Sequence, residues 1–207
     1  MARLLDRILV VDVEATCWPR GQEPAGFESE IIESGVAEVD VASATLVSAD
    51  SILVRPERST VGPFCTELTT LTPEQVAAGV PFADACRTLR QRHRSEDRPW
   101  ASYGDYDRSQ FDRQCRSAGV RYPFGKTHLN VKSLFALTRA LPREVGMDEA
   151  LRQLGLPLEG THHRGGDDAK NIAKILCVLL RAARAVGGCW GGTGILAGWD
   201  RDSNLVG

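Results

Sequence analysis

One stretch constrains the fold more than any other: Ile8-Leu9-Val10-Val11-Asp12-Val13-Glu14-Ala15. Its aliphatic run has no polar face, so as a strand it must be covered on both sides. A chain with such a strand builds a central sheet with helices packed against it. Yet two carboxylates interrupt the run near its end. Side chains two apart in a strand share a face, so Asp12 and Glu14 point the same way. They do so from the C-terminal end of a central strand, where α/β sheets place ligands. Paired carboxylates in an apolar setting repel, so either one keeps a proton or a cation neutralises both. Hard divalent ions such as Mg2+ take oxygen ligands of this type. A lone D-x-E is common, however, and alone it reads better as a strand that ends early with both groups in water.

The rest of the chain supplies the layers. Ile31–Val41 and Thr45–Arg55 read as two strands, and the break at Ala42–Ala44 makes them a hairpin. Pro56–Thr72 reads as irregular. Thr72-Pro73-Glu74-Gln75 has the form of a helix start, with Thr as cap, Pro first and Gln three residues on. Phe82, Ala85, Cys86 and Leu89 share a helical face. Pro99–Tyr103 reads as a short strand, Asp107–Ala118 as a helix, His128–Val131 as a strand and Ser133–Ala140 as a helix. Met147–Leu154 is a short helix closed by Gly155, and Asp168–Ala185 the longest. A mixed α/β sheet flanked by helices follows. The 207 residues suffice for one domain with a sizeable core. That domain is expected over 1–186. Residues 187–207 carry seven glycines and read as a flexible tail.

Charge and cysteine usage narrow the class. Net charge is −2, so nothing global announces nucleic acid or membrane. Its distribution is uneven: residues 1–60 hold 11 acids against 5 bases, while 108–132 hold six bases against Asp112, and 87–98 five arginines against two acids. The six cysteines form no C-x-x-C and no zinc pattern. With no signal peptide ahead of the first strand and no apolar run near ~20 residues, the expectation is a cytoplasmic protein with reduced thiols and no membrane contact.

Two further acidic sites change the weight of D-x-E. In Ser102-Tyr103-Gly104-Asp105-Tyr106-Asp107, Asp107 precedes Phe111 by four and Cys115 by eight, so it lies on the buried stripe, whereas Asp105 reads as a cap or turn residue. In His162-His163-Arg164-Gly165-Gly166-Asp167-Asp168, Asp168 precedes Ile172 by four and Ile175 by seven and faces inward, while Asp167 falls on the polar side. Gly165 and Gly166 are expected to let the loop turn sharply and return His163 over the helix start. Asp12, Glu14, Asp107 and Asp168 can thus converge. Four carboxylates around two divalent ions suit phosphoryl chemistry. A histidine whose pKa lies near neutrality would take the proton from water.

This order and spacing resembles the DEDDh family of 3′–5′ exonucleases: D-x-E in VVDVEATC, then Asp107 in SYGDYDRSQF, then His163-x-x-x-x-Asp168 in HRGGDDAKNIA. The surrounding words, together with Phe64-Cys65-Thr66-Glu67-Leu68-Thr69-Thr70-Leu71-Thr72, are most similar to the subfamily of the histone-mRNA 3′ exonuclease and the enhanced-RNAi exonucleases, with bacterial relatives. The likeness runs over about residues 8–183. It implies a ribonuclease-H-like fold with a mixed five-stranded sheet. It implies hydrolysis of single-stranded nucleic acid, RNA favoured, from the 3′ end to nucleoside 5′-monophosphates, with two Mg2+ or Mn2+ ions. It implies Asp12, Glu14, Asp107, His163 and Asp168 as the catalytic set, the four acids as metal ligands and His163 as general base. It also implies a nucleotide pocket of Glu14, Ala15, Thr16, Leu71, Tyr106 and His163, with Tyr106 standing where relatives tend to have Trp. As given, the sequence has no RNA-binding domain before the first strand, which points to short unstructured 3′ ends. A DNA-directed exonuclease of the same fold is the alternative, as is a regulatory protein acting through a protein partner.

Overall fold

The computed structural model describes residues 4–187. The tail expected from 187 onward lies outside them, apart from Gly187, which ends the last helix. Strands β1 (Arg7–Ala15), β2 (Ile31–Asp40) and β3 (Thr45–Arg55) form an antiparallel meander. Two short helices follow, α1 (Pro63–Thr69) and α2 (Pro73–Ala77), then β4 (Val80–Pro81) and α3 (Phe82–His93). β5 (Trp100–Ser102) and α4 (Tyr106–Ala118) come next, then β6 (His128–Asn130), α5 (Val131–Thr138), α6 (Met147–Gln153) and α7 (Gly165–Gly187). The sheet order is β4-β3-β2-β1-β5-β6, so β1 is central. β5 and β6 run parallel to it on one side.

Six strands stand where five are expected. The addition is β4, two residues pairing parallel to the end of β3 through Val54–Val80 and Arg55–Pro81. Two residues carry no periodicity, and the proline sits where only an edge strand tolerates it. The stretch expected to be irregular also holds α1, which starts at Pro63. The Thr72 capping box forms as read, with Thr72 Oγ1 accepting from Gln75 N and Gln75 Oε1 accepting from Thr72 N.

Alternation along β1 divides the core. Ile8 and Val10 pack with Ala37, Val39 and the inward stripe of α7. Leu9, Val11 and Val13 face α3 and α4 through Leu89 and Phe111, with Phe124 added from the segment after α4. Burying an aliphatic side chain of this size contributes about 1.5–3 kcal/mol, and both faces of β1 gain it. The strand is thereby fixed up to the point where Asp12 and Glu14 continue the Ile8–Val10 face toward the start of α7. Among the described residues no helix is long and apolar enough to cross a membrane.

Candidate active site

The site forms where β1 outruns its neighbour. β5 pairs with β1 only at Leu9 and Val10. Beyond them the edge of β1 facing β5 is open, and a buried N–H there needs another acceptor. Asp107 supplies it: its Oδ1 accepts from Val13 N at 2.9 Å. The chain reaches that position because β5 stops at Ser102 and turns at Gly104, whose φ of +109° is a glycine conformation. Asp105 occupies the cap position of α4, but its side chain makes no capping bond and instead accepts from Asn130 Nδ2 at 3.3 Å.

On the other side, α7 comes down onto the backbone of β2. Gly35 pairs across from Asp12. A Cβ built on Gly35 would lie 1.8 Å from the Gly165 carbonyl oxygen, so only glycine admits the contact. Glu33 then ties the junction. It accepts from Gly165 N at 2.8 Å, from Arg164 Nε at 3.1 Å and Nη2 at 3.0 Å, and from Ser51 Oγ at 2.7 Å. The loop before α7 does not turn at its glycines, contrary to expectation: Gly165 and Gly166 open the helix without positive φ. The turn is made at Gly160 (φ +78°) and at His163 itself (φ +64°), an uncommon conformation for a residue with a side chain. Asp167 does not cap the helix by its side chain but accepts from Thr161 N at 2.8 Å.

These two anchors bring Asp12, Glu14, Asp107 and Asp168 to one cavity of about 350 Å³, which His162 and His163 also line. Carboxylate oxygens of Asp12, Glu14 and Asp168 lie within 4.8 Å of one another. Among the described residues none of Asp12, Glu14 or Asp107 forms an ion pair with a lysine or arginine. The electrostatic strain is visible in their proton affinities. Burial, then the charges of Asp107, Glu14 and Asp168, pushes Asp12 well above the usual carboxylate range. Glu14 rises to about 8, again by burial first and then by Asp168, Glu33 and Asp107. Asp107 rises to about 6 through burial, moderated by the Val13 N–H. Oxygen donors that repel one another and lack a cation fit a hard divalent ion, and these residues can hold one.

Both histidines meet Asp168. Backbone N–H of His163 donates to Asp168 Oδ2 at 2.9 Å, and His162 Nδ1 lies 3.0 Å from the same oxygen. The two rings stack with centroids 4.0 Å apart. Burial and the adjacent His162 lower the His163 imidazole below its ordinary value, so it is neutral at pH 7 and able to accept a proton. Sequence spacing favoured His163 alone, and the proximity of His162 to Asp168 was not foreseen.

Of the residues expected around a nucleotide, Glu14, Ala15, Tyr106 and His163 line the cavity and Thr16 and Leu71 do not. Leu71 is fully buried against Ile32, Cys65 and Val76 and is not on the cavity wall. Leu68, one turn earlier on α1 and 38% exposed, lines the cavity instead. The helical register of α1, hidden in a stretch read as irregular, is what the sequence reading missed. Thr16 is likewise fully buried, with Oγ1 accepting from Glu30 N at 2.9 Å and sharing a hydrogen bond with Ser59 Oγ. Its hydroxyl is committed to the loop, while Ala15 and Cys17 line the cavity. Tyr106, 56% exposed, and Tyr103 also line the cavity.

The chain matches the exonuclease family model (RNase_T) over residues 9–176. It is 31% identical over 186 residues to the 3′-5′ exoribonuclease 1 of Rattus norvegicus, covering 85% of this chain and 53% of that one. It is 26% identical over 195 residues to the 3′-5′ exonuclease Snipper of Drosophila melanogaster, with 84% and 69% covered. The chain thus spans about half the length of the rat relative. Among solved structures, the nuclease domain of 3′hExo, a DEDDh family member bound to rAMP, superposes with a TM-score of 0.78 at 26% identity, covering 88% of this chain and 95% of that one. The chain belongs to the RNase_T exonuclease family.

Proposed function

We propose that the protein is a metal-dependent 3′–5′ exonuclease acting on single-stranded 3′ ends, with RNA preferred, that releases nucleoside 5′-monophosphates. The observation that carries this is the cluster of Asp12, Glu14, Asp107 and Asp168, in which, among the described residues, no lysine or arginine forms an ion pair with Asp12, Glu14 or Asp107 and the pull of Arg164 on Glu14 does not offset burial and repulsion. Relatives named as 3′-5′ exoribonucleases and a structural neighbour bound to rAMP support the direction and the preference for RNA.

Asp12, Glu14, Asp107 and Asp168 would hold two divalent cations, Mg2+ or Mn2+. Such ions supply acidification of a water and neutralisation of charge on the scissile phosphate and the leaving oxygen. His163, neutral at pH 7, accepts the proton of the attacking water at an imidazole nitrogen. The protein holds that ring over Asp168 through the His163 N–H and the strained turn beneath it. Tyr106 and Leu68 flank the opening and would take the terminal base between an aromatic and an aliphatic surface. Ala15 at the end of β1 forms the floor beside Glu14.

The test uses a 5′-labelled RNA and the matching DNA, incubated with the protein in Mg2+, Mn2+ or EDTA. A ladder that shortens from the 3′ end only with metal, faster on RNA, is expected. Faster DNA shortening would replace RNA by DNA as the preferred substrate. No shortening under any condition would overturn the reading in favour of a regulatory protein of this fold.

A further inference from the structure

The basic segments at 87–98 and 108–132 do not act as a block, because the fold satisfies most of them internally. Arg87 pairs with Asp84, Arg92 with Asp50, Arg94 with Asp97 and Arg98 with Asp6. Arg116 pairs with Asp112, Arg121 with Glu96 and Lys132 with Glu144. Arg90 donates to the Arg121 carbonyl and Arg113 to Ser29 and Gln110. Among the described residues, Arg108 and Lys126 are the cations of these segments left without such a partner, and both line the same hollow.

That hollow has a volume of about 390 Å³ and lies between the first turns of α4 and the segment leading into β6. Its wall is aromatic: Tyr122 and Phe124 are in edge contact, and Phe124 stacks on Trp100 at 4.3 Å. His128 completes it. The side chain of His128 is 5% exposed, and its Nε2 is bonded to Ser102 Oγ at 2.8 Å. Its Nδ1 stands 3.9 Å from Asp105, beyond hydrogen-bond reach. The one carboxylate in the lining, Asp112, is already neutralised by Arg116. Trp100 and Phe124 are buried, at 1% and 6% exposure, so half-buried Tyr122 is the ring open to a base, while the two cations left unpaired among the described residues suit a phosphate.

Its position couples it to the carboxylates. Arg108 follows Asp107 directly on α4, and the two lie on different sides of the helix start, one lining each cavity. Ser102, which holds His128, is the last residue of β5, from which the chain turns into α4. We propose that this hollow is a second binding subsite, taking a phosphate and base of the same nucleic-acid strand upstream of the 3′ end that the carboxylates would cleave. The inference rests on the exonuclease reading for the direction of the strand, but binding here does not require turnover.

The test combines Arg108→Gln with Lys126→Gln. Both side chains are exposed and unpartnered, so the doubly substituted protein should melt as the parent does. Binding of a fluorescent RNA 12-mer is measured by anisotropy across a salt series in an Asp12→Asn background, so that no cleavage intervenes. The double substitution should weaken binding by about tenfold or more at low salt and reduce the salt slope by about 1.4, since each single-strand phosphate contact contributes roughly 0.7. Arg87→Gln, which removes a partnered cation, serves as control and should change neither. With the active protein, KM for the 12-mer should rise with kcat unchanged, while hydrolysis of p-nitrophenyl thymidine 5′-monophosphate, too short to reach the hollow, should stay as in the parent.

An unchanged 12-mer affinity and salt slope overturns the proposal. So does loss of adenosine 5′-monophosphate binding in calorimetry with 12-mer binding intact, which would make the hollow a site for free mononucleotide. A parent protein that binds the 12-mer through Arg108 and Lys126 but never cleaves it would uphold the subsite while the exonuclease reading falls.

Discussion

Glu14 and Glu33 face each other across β1 and β2 as paired residues, and they live under opposite conditions. Both are buried, at 8% and 1% exposure. Glu33 has four donors in hand, from Arg164, Ser51 and the Gly165 N–H, and these hold its carboxyl below the ordinary range even though burial pushes it up. Glu14 has burial and three neighbouring carboxylates, with only the distant pull of Arg164, and rises to about 8. The same residue type at nearly the same depth serves two purposes. Glu33 fastens α7 to the sheet, and that fastening delivers Asp168 to a cluster that the protein leaves electrostatically unbalanced. Glu30, bonded to Ser59 and to the N–H groups of Glu57, Arg58 and Ser59, belongs with Glu33, and its carboxyl is likewise lowered. The framework acids Glu30 and Glu33 each have several donors, whereas in the site Asp107 has the Val13 N–H and Asp168 the His163 N–H.

The contrast breaks most visibly in turnover. Asp12→Asn should abolish hydrolysis of a labelled oligonucleotide by roughly 10³-fold or more, the scale of several kcal/mol of lost charge stabilisation. The same substitution should raise the melting temperature in EDTA, because it replaces a carboxyl that is costly to bury among other acids. A lowered melting temperature would show that Asp12 belongs with Glu33 after all. His163→Ala should reduce turnover by about 10²–10⁴-fold with cation binding retained, and His162→Ala by less than tenfold. The reverse ranking, read from single-turnover rates, would move the general base to His162.

Glu33→Ala tests the framework side. Loss of a buried partner should cost about 3 kcal/mol in urea unfolding, at the lower end for buried pairs because Arg164 can turn to solvent. Less than 1 kcal/mol would mean that the junction is held by the Gly35–Gly165 contact alone.

A further effect is in pH. Folding raises the pKa of Glu14 from 4.5 to about 8 and of Asp107 from 3.8 to about 6. Protonation therefore favours the folded state, and the metal-free protein should lose stability as pH rises from about 5 to 8. Glu30 and Glu33 are lowered, so their contribution is present above their ordinary value of 4.5 and is lost as pH falls below it. Melting temperature in EDTA should peak near pH 5. Divalent cation at about 100 times its Kd should add about 2.7 kcal/mol and flatten the alkaline arm. An EDTA profile that climbs to pH 8 would contradict the unbalanced cluster.

Much of this was legible in the chain. The all-apolar run before Asp12 required a central strand, and helical periodicity from Phe111 and Ile172 placed Asp107 and Asp168 inward, where the structure finds them buried. Periodicity works there because β1, α4 and α7 are long enough to repeat. It fails for β4 and α1, which are too short, and with α1 went the distinction between Leu68 on the cavity wall and Leu71 in the core.

The sequence by itself determined which acids lie on which faces, since alternation in a strand and the 3.6-residue period of a helix are local rules. Tertiary structure alone decided which charges are left unsatisfied. The D-x-E pattern marks Glu14, but nothing along the chain shows that Glu33 would be fully satisfied or that Arg108 would be left unpaired while Arg116 is not. The difference arises when Arg164 and Gly165 N–H arrive from 131 and 132 residues away, because burial makes a charge costly and only contacts between distant segments can supply, or withhold, its partner.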